Sequence, residues 1–385
     1  VPTIVLKRSL TFADDGFLYR RGVPRVVSDS DYLRLLAMGD FADPEQELNA
    51  VPPAYLKRAP VGTVIPVIRT GGLGDALMAA VAIRETARRY PLLRFAYFTG
   101  ADFVPLFKGH PWLVRVDELG NLRGRHHWVI DLRGYSERDG RERQERIGCY
   151  MRHLLAGDVQ DANLRLHGIA NQALANRDRG RSLIGAYRGP ALGIVNGSHS
   201  QGGYRNWPMR YVERLAGLAH DRGWTPVILD DKHYALTPKL DAAKAVNLTG
   251  RLTMANLCAV LAALDVTVSP DTGTFHLAEA LGRPTVGYFT TVPPEVRSHG
   301  YAHARTLYAR LPCSPCYHAP TCGAMAYETE CAQAVTPERV MAEVDWMQEN
   351  PPPYKDSRAP MELPREAATP VHFRIPERQA AMAGG

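Results

Sequence analysis

Apolar residues recur along this chain in two alternating rhythms. From Val61 onward, short runs dense in Val, Ile and aromatic residues give way to longer stretches in which apolar positions return every three or four residues. The first rhythm belongs to a buried strand, the second to a helix with one covered face. TVIPVIR predicts a strand, GGLGD a loop, and ALMAAVAIRETARRY a helix that stops before Pro91; LRFAYFTG predicts the next strand and HHWVIDLRG another. The alternation restarts near Ala191. ALGIVNGS predicts a strand and loop, RNWPMRYVERLAGLAHDRG a helix after Pro208, TPVILDD a strand, and NLTGRLTMANLCAVLAALD a turn and a helix. Apolar strands separated by helices mean parallel sheets, so the fold class is α/β with two similar halves.

The ends of the chain break this pattern. Residues 1–50 predict a small β-plus-helix module: TIVLKRSLTF alternates as a strand, DDG turns the chain, and DYLRLLAMG is a short helix. The module is similar to small modules of bacteriophage proteins. ADPEQELNAVPP reads as a linker, and residues 61–185 form the first α/β half. The segment from Asp158 to Pro190 is expected to cross to the second half at 190–346, which closes with TPERVMAEVDWMQ, a helix capped by Thr336 with Pro337 at its first position. Residues 350–385 are rich in proline and poor in large apolar side chains, so no element is predicted there.

The most informative stretch is DVTVSPDTGTFHLAEALGRPTVGYF, residues 265–289. It predicts a strand ended by Pro270, a helix that Asp271 or Thr272 can cap, a stop at Gly282 and Pro284, and a second strand. A helix N-terminus then sits at the carboxyl end of a strand, where open α/β sheets bind ligands and bare N–H groups favour phosphate. Gly273 permits a close approach to the backbone, and His276 lies one helical turn after Thr272, on the same face. A purely structural strand–helix–strand unit would read the same way. Asp-Thr-Gly is also an aspartic-protease signature, but that chemistry needs a second such carboxylate, and the chain has no other Asp-Thr-Gly and no Asp-Ser-Gly.

A second glycine-rich turn, Gly71-Gly72-Leu73-Gly74-Asp75, follows a strand and opens a helix. The dinucleotide fingerprint would want a small residue at Leu77 and an acid at Thr99-Gly100, and a nucleoside triphosphatase loop would want Lys-Ser or Lys-Thr. Neither is present. Asp75 is either a helix cap or a carboxylate offered to a ligand.

Charge sharpens the picture modestly. The chain carries a formal net charge of +6, which points to an anionic partner. Between Arg123 and Arg152 stand eight Arg against five acids, either a solvated face or an anion-binding rim beside the glycine loop. No apolar run is long enough to span a bilayer and no secretory signal pattern opens the chain, so a cytoplasmic protein is expected.

From Val61 to Trp346 the chain resembles glycosyltransferase family 9, the heptosyltransferases. The resemblance rests on GGLGDALMAAVAIRETARRYP, RNWPMRYVERLAGLA, NLTGRLTMANLCAVLAALD and SPDTGTFHLAEALGRPTVGYF. It implies the GT-B fold, two Rossmann-like domains facing across a cleft: an acceptor domain at 61–185 and a nucleotide-sugar donor domain at 190–346. It implies that Asp75 is the general base on the acceptor hydroxyl, with Gly71, Gly72 and Gly74 forming its loop. It implies that Arg205 contacts the donor phosphates, where the family usually has Lys, and that Asp271, Thr272, Gly273 and His276 bind the donor. Where the family has a glycine-rich turn and then an acid near the nucleoside, this chain has Leu229-Asp230-Asp231; Asp231 is taken as the acid, and the departure leaves base and sugar open.

Elementary chemistry agrees with that implication. A diphosphate leaving group gains charge in the transition state, and a helix N-terminus plus the fork of Arg205 can hold it without a metal. A carboxylate on the opposite side must take the acceptor proton, which means in-line displacement with inversion.

Cys149 and Cys258 stand alone in helical patterns and are expected in the core. Cys313, Cys316, Cys322 and Cys331 cluster instead, and four thiols opening with C-x2-C favour a structural zinc or iron, with His318 as a spare ligand. Some protein-modifying heptosyltransferase relatives hold an iron this way.

Three readings follow. The first is an inverting transferase that moves a sugar from a nucleotide-diphosphate donor to a hydroxyl on a glycan or lipopolysaccharide-type saccharide. The second keeps the chemistry but takes a 5-hydroxymethylated pyrimidine in DNA as acceptor, flipped out of the duplex. The third is a non-catalytic binding or virion-associated protein that keeps the fold.

Overall fold

The computed structural model describes five short strands within residues 3–42, residue 56, and residues 59–353 except 127, 137–142, 156–164, 188, 198–203, 231–243 and 318–328. The expected helix DYLRLLAMG and the tail after residue 353 lie outside the described residues. Two parallel sheets, each flanked by helices, form two Rossmann-like lobes of a GT-B fold.

The first sheet runs Ile130–Asp131, Val64–Ile68, Arg94–Thr99, Leu113–Glu118, all parallel. Two of its strands are near-continuous apolar runs because both faces are covered: helix Leu73–Arg89 packs on one, and Leu119, Leu122 and Val129 close Ile68, Ala96 and Phe98 on the other. HHWVIDLRG is not one strand. Its strand reduces to Ile130–Asp131, and its first residue, His126, instead closes a separate strand, Gly124–His126, that pairs antiparallel with Thr11–Asp14. Through that pairing the N-terminal hairpin Thr11–Arg20 is hydrogen-bonded to the first lobe. Leu113–Glu118, a strand the apolar rhythm did not announce, carries charged residues because its side chains are only partly covered.

The second sheet has six parallel strands. Taken in chain order from Ala191–Ile194 to Ala304–Tyr308, they lie 3-2-1-4-5-6 across the sheet, the doubly wound order. The order reverses between Ala191–Ile194 and Val266–Pro270, so the loops after those two strands diverge and leave a crevice. Helix Pro337–Glu349 packs against helix Met209–Asp221 behind this sheet; Thr336 caps it, accepting from Arg339 N–H, as the sequence predicts. Cys149 and Cys258 are buried, as expected.

Helix Arg177–Ile184 belongs to the crossing segment and lies on helix Met254–Ala263 of the second lobe. Contact is closest at Gly180, where an added Cβ would stand 2.0 Å from the carbonyl oxygen of Ala259. Alanine normally favours a helix interior over glycine by about 1 kcal/mol. Here the clash is with backbone that cannot rotate away, and overpacking costs about 1–3 kcal/mol or more. Gly180→Ala should therefore destabilise the protein despite the propensity gain, lowering the midpoint of urea unfolding; an unchanged or raised midpoint would refute the close approach.

Candidate functional site

The site forms where the N-termini of two helices meet. Helix Leu73–Arg89 of the first lobe starts after the glycine turn, and helix Gly273–Ala280 of the second starts after Asp271-Thr272. They approach through their glycines. A Cβ on Gly74 would stand 2.3 Å from the His276 ring, and a Cβ on Gly273 would stand 2.7 Å from the Leu73 Cβ. The close approach predicted at Gly273 is thus made by the opposite lobe. Beside this junction opens a cleft of about 910 Å³ lined from both lobes, among others by Asp75, Arg146, Arg205, Asp271 and Arg297. That volume accommodates a ligand of nucleotide-sugar size.

Asp75 is not a helix cap. It sits in the first turn, but no side chain caps that turn. Its carboxylate faces Arg69 at 3.1 Å and Arg146 at 3.7 Å, and accepts the Tyr150 hydroxyl at 3.0 Å. Arg69 also donates to the Tyr150 oxygen at 2.9 Å, and Ser136 Oγ lies 2.9 Å from it. Arg146 and Tyr150 lie one turn apart on helix Arg146–Leu155, so one helix face delivers both. Gly71 is small for a local reason: a Cβ there would meet the Arg69 guanidinium at 2.3 Å. Burial pushes the Asp75 carboxyl up, but Arg69, Arg146, Arg297 and the Tyr150 hydroxyl outweigh it and lower its pKa to about 2.

In the second lobe, Asp271 is 5 % exposed. Its Oδ2 lies 3.2 Å from Arg205 and 3.8 Å from Arg297, and its Oδ1 lies 3.2 Å from His276 Nε2. Arg205 also donates to the Asp271 carbonyl at 2.8 Å. Burial raises the Asp271 carboxyl, but Arg205, His276 and Arg297 prevail and hold it well below the usual carboxylate range. An ionised Asp271 can only accept, so Nε2 of His276 carries a proton, and Nδ1 shares the other bond with the Tyr301 hydroxyl at 2.6 Å. His276 is therefore buried between Asp271, Tyr301 and Gly74 rather than extended into the cleft. The sequence offered Asp271 or Thr272 as helix cap. Neither side chain caps: Asp271 is engaged by arginine and histidine, and the Thr272 hydroxyl pairs with Ser269 at 3.0 Å.

Arg205 is placed by the motif that follows it. The Trp207 N–H donates to Asn196 Oδ1 at 2.7 Å and Asn196 Nδ2 returns a bond to the Trp207 carbonyl at 3.0 Å. Trp207 stacks on Tyr288 with centroids 4.3 Å apart. This locks the loop before helix Met209–Asp221 onto the end of strand Ala191–Ile194.

Asp231 lies outside the described residues, but Asp230 lines the cleft. Asp230 is buried and accepts the N–H groups of Asn196 at 2.7 Å and Gly197 at 2.8 Å. Gly72, Gly74, Thr272 and Gly273 line the cleft too; Gly71 serves it through Arg69. Sequence reasoning missed Arg69, Tyr150, Arg297 and Tyr301 as individuals. Arg69 could have been suspected, because it ends a strand at a glycine turn. Arg146 belonged to the arginine-rich stretch and, among its described arginines, is the one that lines the cleft.

The cysteines do not assemble among the described residues. Cys313 is exposed and Cys316 and Cys331 are half-buried; Cys331 donates to Thr329 Oγ1 at 3.4 Å. No group of three His, Cys, Asp or Glu among the described residues is placed to hold a metal ion, and Cys322 and His318 lie outside them. No helix among the described residues is long and apolar enough to cross a membrane.

The family model described as glycosyltransferase family 9 (heptosyltransferase) matches residues 119–326. Lipopolysaccharide heptosyltransferase 1 of Pseudomonas aeruginosa is 24 % identical over 305 residues, covering 65 % of this chain and 85 % of that protein. The structure of E. coli ADP-heptose LPS heptosyltransferase II superimposes with a TM-score of 0.56 at 19 % identity, covering 74 % of this chain and 99 % of that one. The iron-containing dodecameric heptosyltransferase TibC, in complex with ADP-D-beta-D-heptose, gives 0.57 at 15 % identity, covering 75 % and 76 %. At these identities the structural likenesses show the fold.

Asp75 and Asp271 give the site a pH signature. Each carboxyl is depressed in the folded state, so each contributes stability that is present above the unfolded pKa near 4 and lost as pH falls through the folded value. Stability from urea unfolding should fall between about pH 5 and pH 2. Asp75→Asn should flatten that slope; an identical slope in the variant would show that Asp75 is not depressed.

Proposed function

The chain belongs to glycosyltransferase family 9, and on that basis we propose that it transfers a sugar from a nucleotide-diphosphate donor to a saccharide hydroxyl with inversion. The observation that carries this reading is the shared cleft: the carboxylate of Asp75 and the Arg205–Asp271 pair, from different lobes, open onto one space. A lipopolysaccharide-type acceptor is supported by the function named for the Pseudomonas relative, and ADP-heptose, named with one structural neighbour, is the first donor to test.

In this reading the acceptor oxygen attacks the anomeric carbon from the Asp75 side. The bond from that carbon to the phosphate oxygen breaks, the diphosphate leaves with the electron pair, and Asp75 takes the acceptor proton. A carboxyl of pKa about 2 is ionised throughout the physiological range but is a weak base. It therefore receives the proton late, once C–O bond formation has made the hydroxyl acidic. Arg69, Arg146 and Tyr150 fix its orientation at the cost of basicity. Across the cleft, Arg205 and the N–H groups at Thr272–Gly273 face the leaving diphosphate, and Asp271 holds Arg205 in place. No metal is required for the transfer step in this scheme. The lobes that supply base and phosphate contacts are the segments 61–185 and 190–346.

Asp75→Asn should lower the transfer rate by about 10²–10⁴ while leaving donor affinity within roughly twofold, measured by single-turnover transfer and donor titration. Undiminished transfer would remove Asp75 from its role.

A structural zinc or iron on Cys313, Cys316, Cys322 and Cys331 is the remaining part of the proposal, supported by the cysteine spacing. Elemental analysis of protein purified without chelator should find about one such metal per chain; none would refute it.

A further inference from the structure

We propose that Arg297 is a second diphosphate contact: its guanidinium, presented from the second lobe beside Asp271, takes an oxygen of the leaving diphosphate opposite Arg205. The inference rests on the transferase reading and adds a residue that the family-like motifs do not contain.

Arg297 ends the short helix Pro294–Arg297 and is 5 % exposed, yet it lines the cleft. Its Nε lies 3.8 Å from Asp271 Oδ2, and its Nη1 is buried with no hydrogen-bond partner among the described residues. A buried cationic donor left without an acceptor carries the full cost of its lost hydration. Such a cost persists where a ligand offsets it.

The surrounding charges point to an anion. At the lobe junction, Arg69, Arg146, Arg205 and Arg297 stand around the two carboxylates Asp75 and Asp271. Asp230 lines the cleft as well but is occupied by backbone N–H groups, while Asp102 and Arg251 sit at its exposed rim. The junction therefore holds an excess of positive charge. Burial lowers the Arg297 pKa to about 10, with Arg146 adding to the depression, so the group stays charged at neutral pH. A nucleotide-linked diphosphate brings two negative charges and gains more as it departs, so the excess favours the transition state over the bound donor.

The arrangement favours donor over acceptor. Arg69 and Arg146 pair with Asp75 in the first lobe, and Arg297 also acts on that carboxylate through space, but the ion-pair contacts of Arg205 and Arg297 both fall on one oxygen of Asp271 in the second. Two forks converging on one carboxylate oxygen are spaced to grip a second anion beside it.

The test uses the full chain and compares wild type with Arg297→Gln and Arg297→Lys by calorimetric titration with ADP and with inorganic pyrophosphate. Thermal melts identify variants that fold. Arg297→Gln should weaken both ligands tenfold or more, Arg297→Lys should weaken them less, and turnover should fall in the same order. If Arg297→Gln does not fold, a weakened pyrophosphate affinity in Arg297→Lys carries the proposal. Unchanged affinity for both ligands in the folded variants would overturn it, as would a rise confined to the acceptor KM, which would move Arg297 to the acceptor side. Those outcomes leave the transferase reading standing. Wild-type protein that binds none of ADP, UDP and GDP would sink both.

Discussion

The structure depends on a contact made possible by missing side chains. Gly74 admits the His276 ring and Gly273 admits Leu73, so two helix N-termini from different lobes meet almost backbone to backbone. Helix N-termini carry partial positive charge and uncommitted N–H groups, so bringing two together is electrostatically unfavourable unless negative charge stands nearby. Asp75 and Asp271 supply it, one from each turn. The same proximity that draws the lobes together places a carboxylate of one lobe near the helix N-terminus of the other.

That placement has an energetic consequence. Carboxylates withdrawn from water would ordinarily gain a proton, and both are held ionised only because guanidiniums surround them. Each arginine is in turn positioned by something specific: Arg69 by the space over Gly71 and the Tyr150 hydroxyl, Arg146 by its place one turn before Tyr150, Arg205 by the Trp207–Asn196 lock. His276 is wedged between Asp271 and Tyr301, and one turn further along the same helix stands Glu279. That buried acid accepts the N–H groups of Ala302 and His303 at 3.0 and 2.9 Å. The site is an ion network whose members lose much of their stability if one partner is removed.

Much of this was legible in the chain. The apolar rhythm announced two α/β halves, and the strand-then-glycine-turn pattern marked both entry helices, because a buried parallel strand and a one-sided helix leave distinct periodicities. Asp75 and Asp271 stood out because their neighbours are turn and cap residues with a local physical meaning, whereas Arg205 stood out only through the family resemblance. HHWVIDLRG misled because only Ile130–Asp131 of it joins the parallel sheet, while its first residue, His126, ends a separate strand, Gly124–His126, that pairs with the N-terminal hairpin, a long-range choice that no local pattern encodes.

By itself, then, the sequence determined the strand–helix alternation, the positions of the two glycine turns, and the residue types that could serve a phosphate and a proton. Only the tertiary structure decided what each glycine makes room for, that His276 is consumed by Asp271 and Tyr301, and that Arg69, Arg146 and Arg297 join the site. The reason is sequence distance. Periodicity and capping act within a turn or two of helix, whereas the charges that set Asp75 and Asp271 arrive from segments dozens of residues away and become neighbours only when the lobes pack.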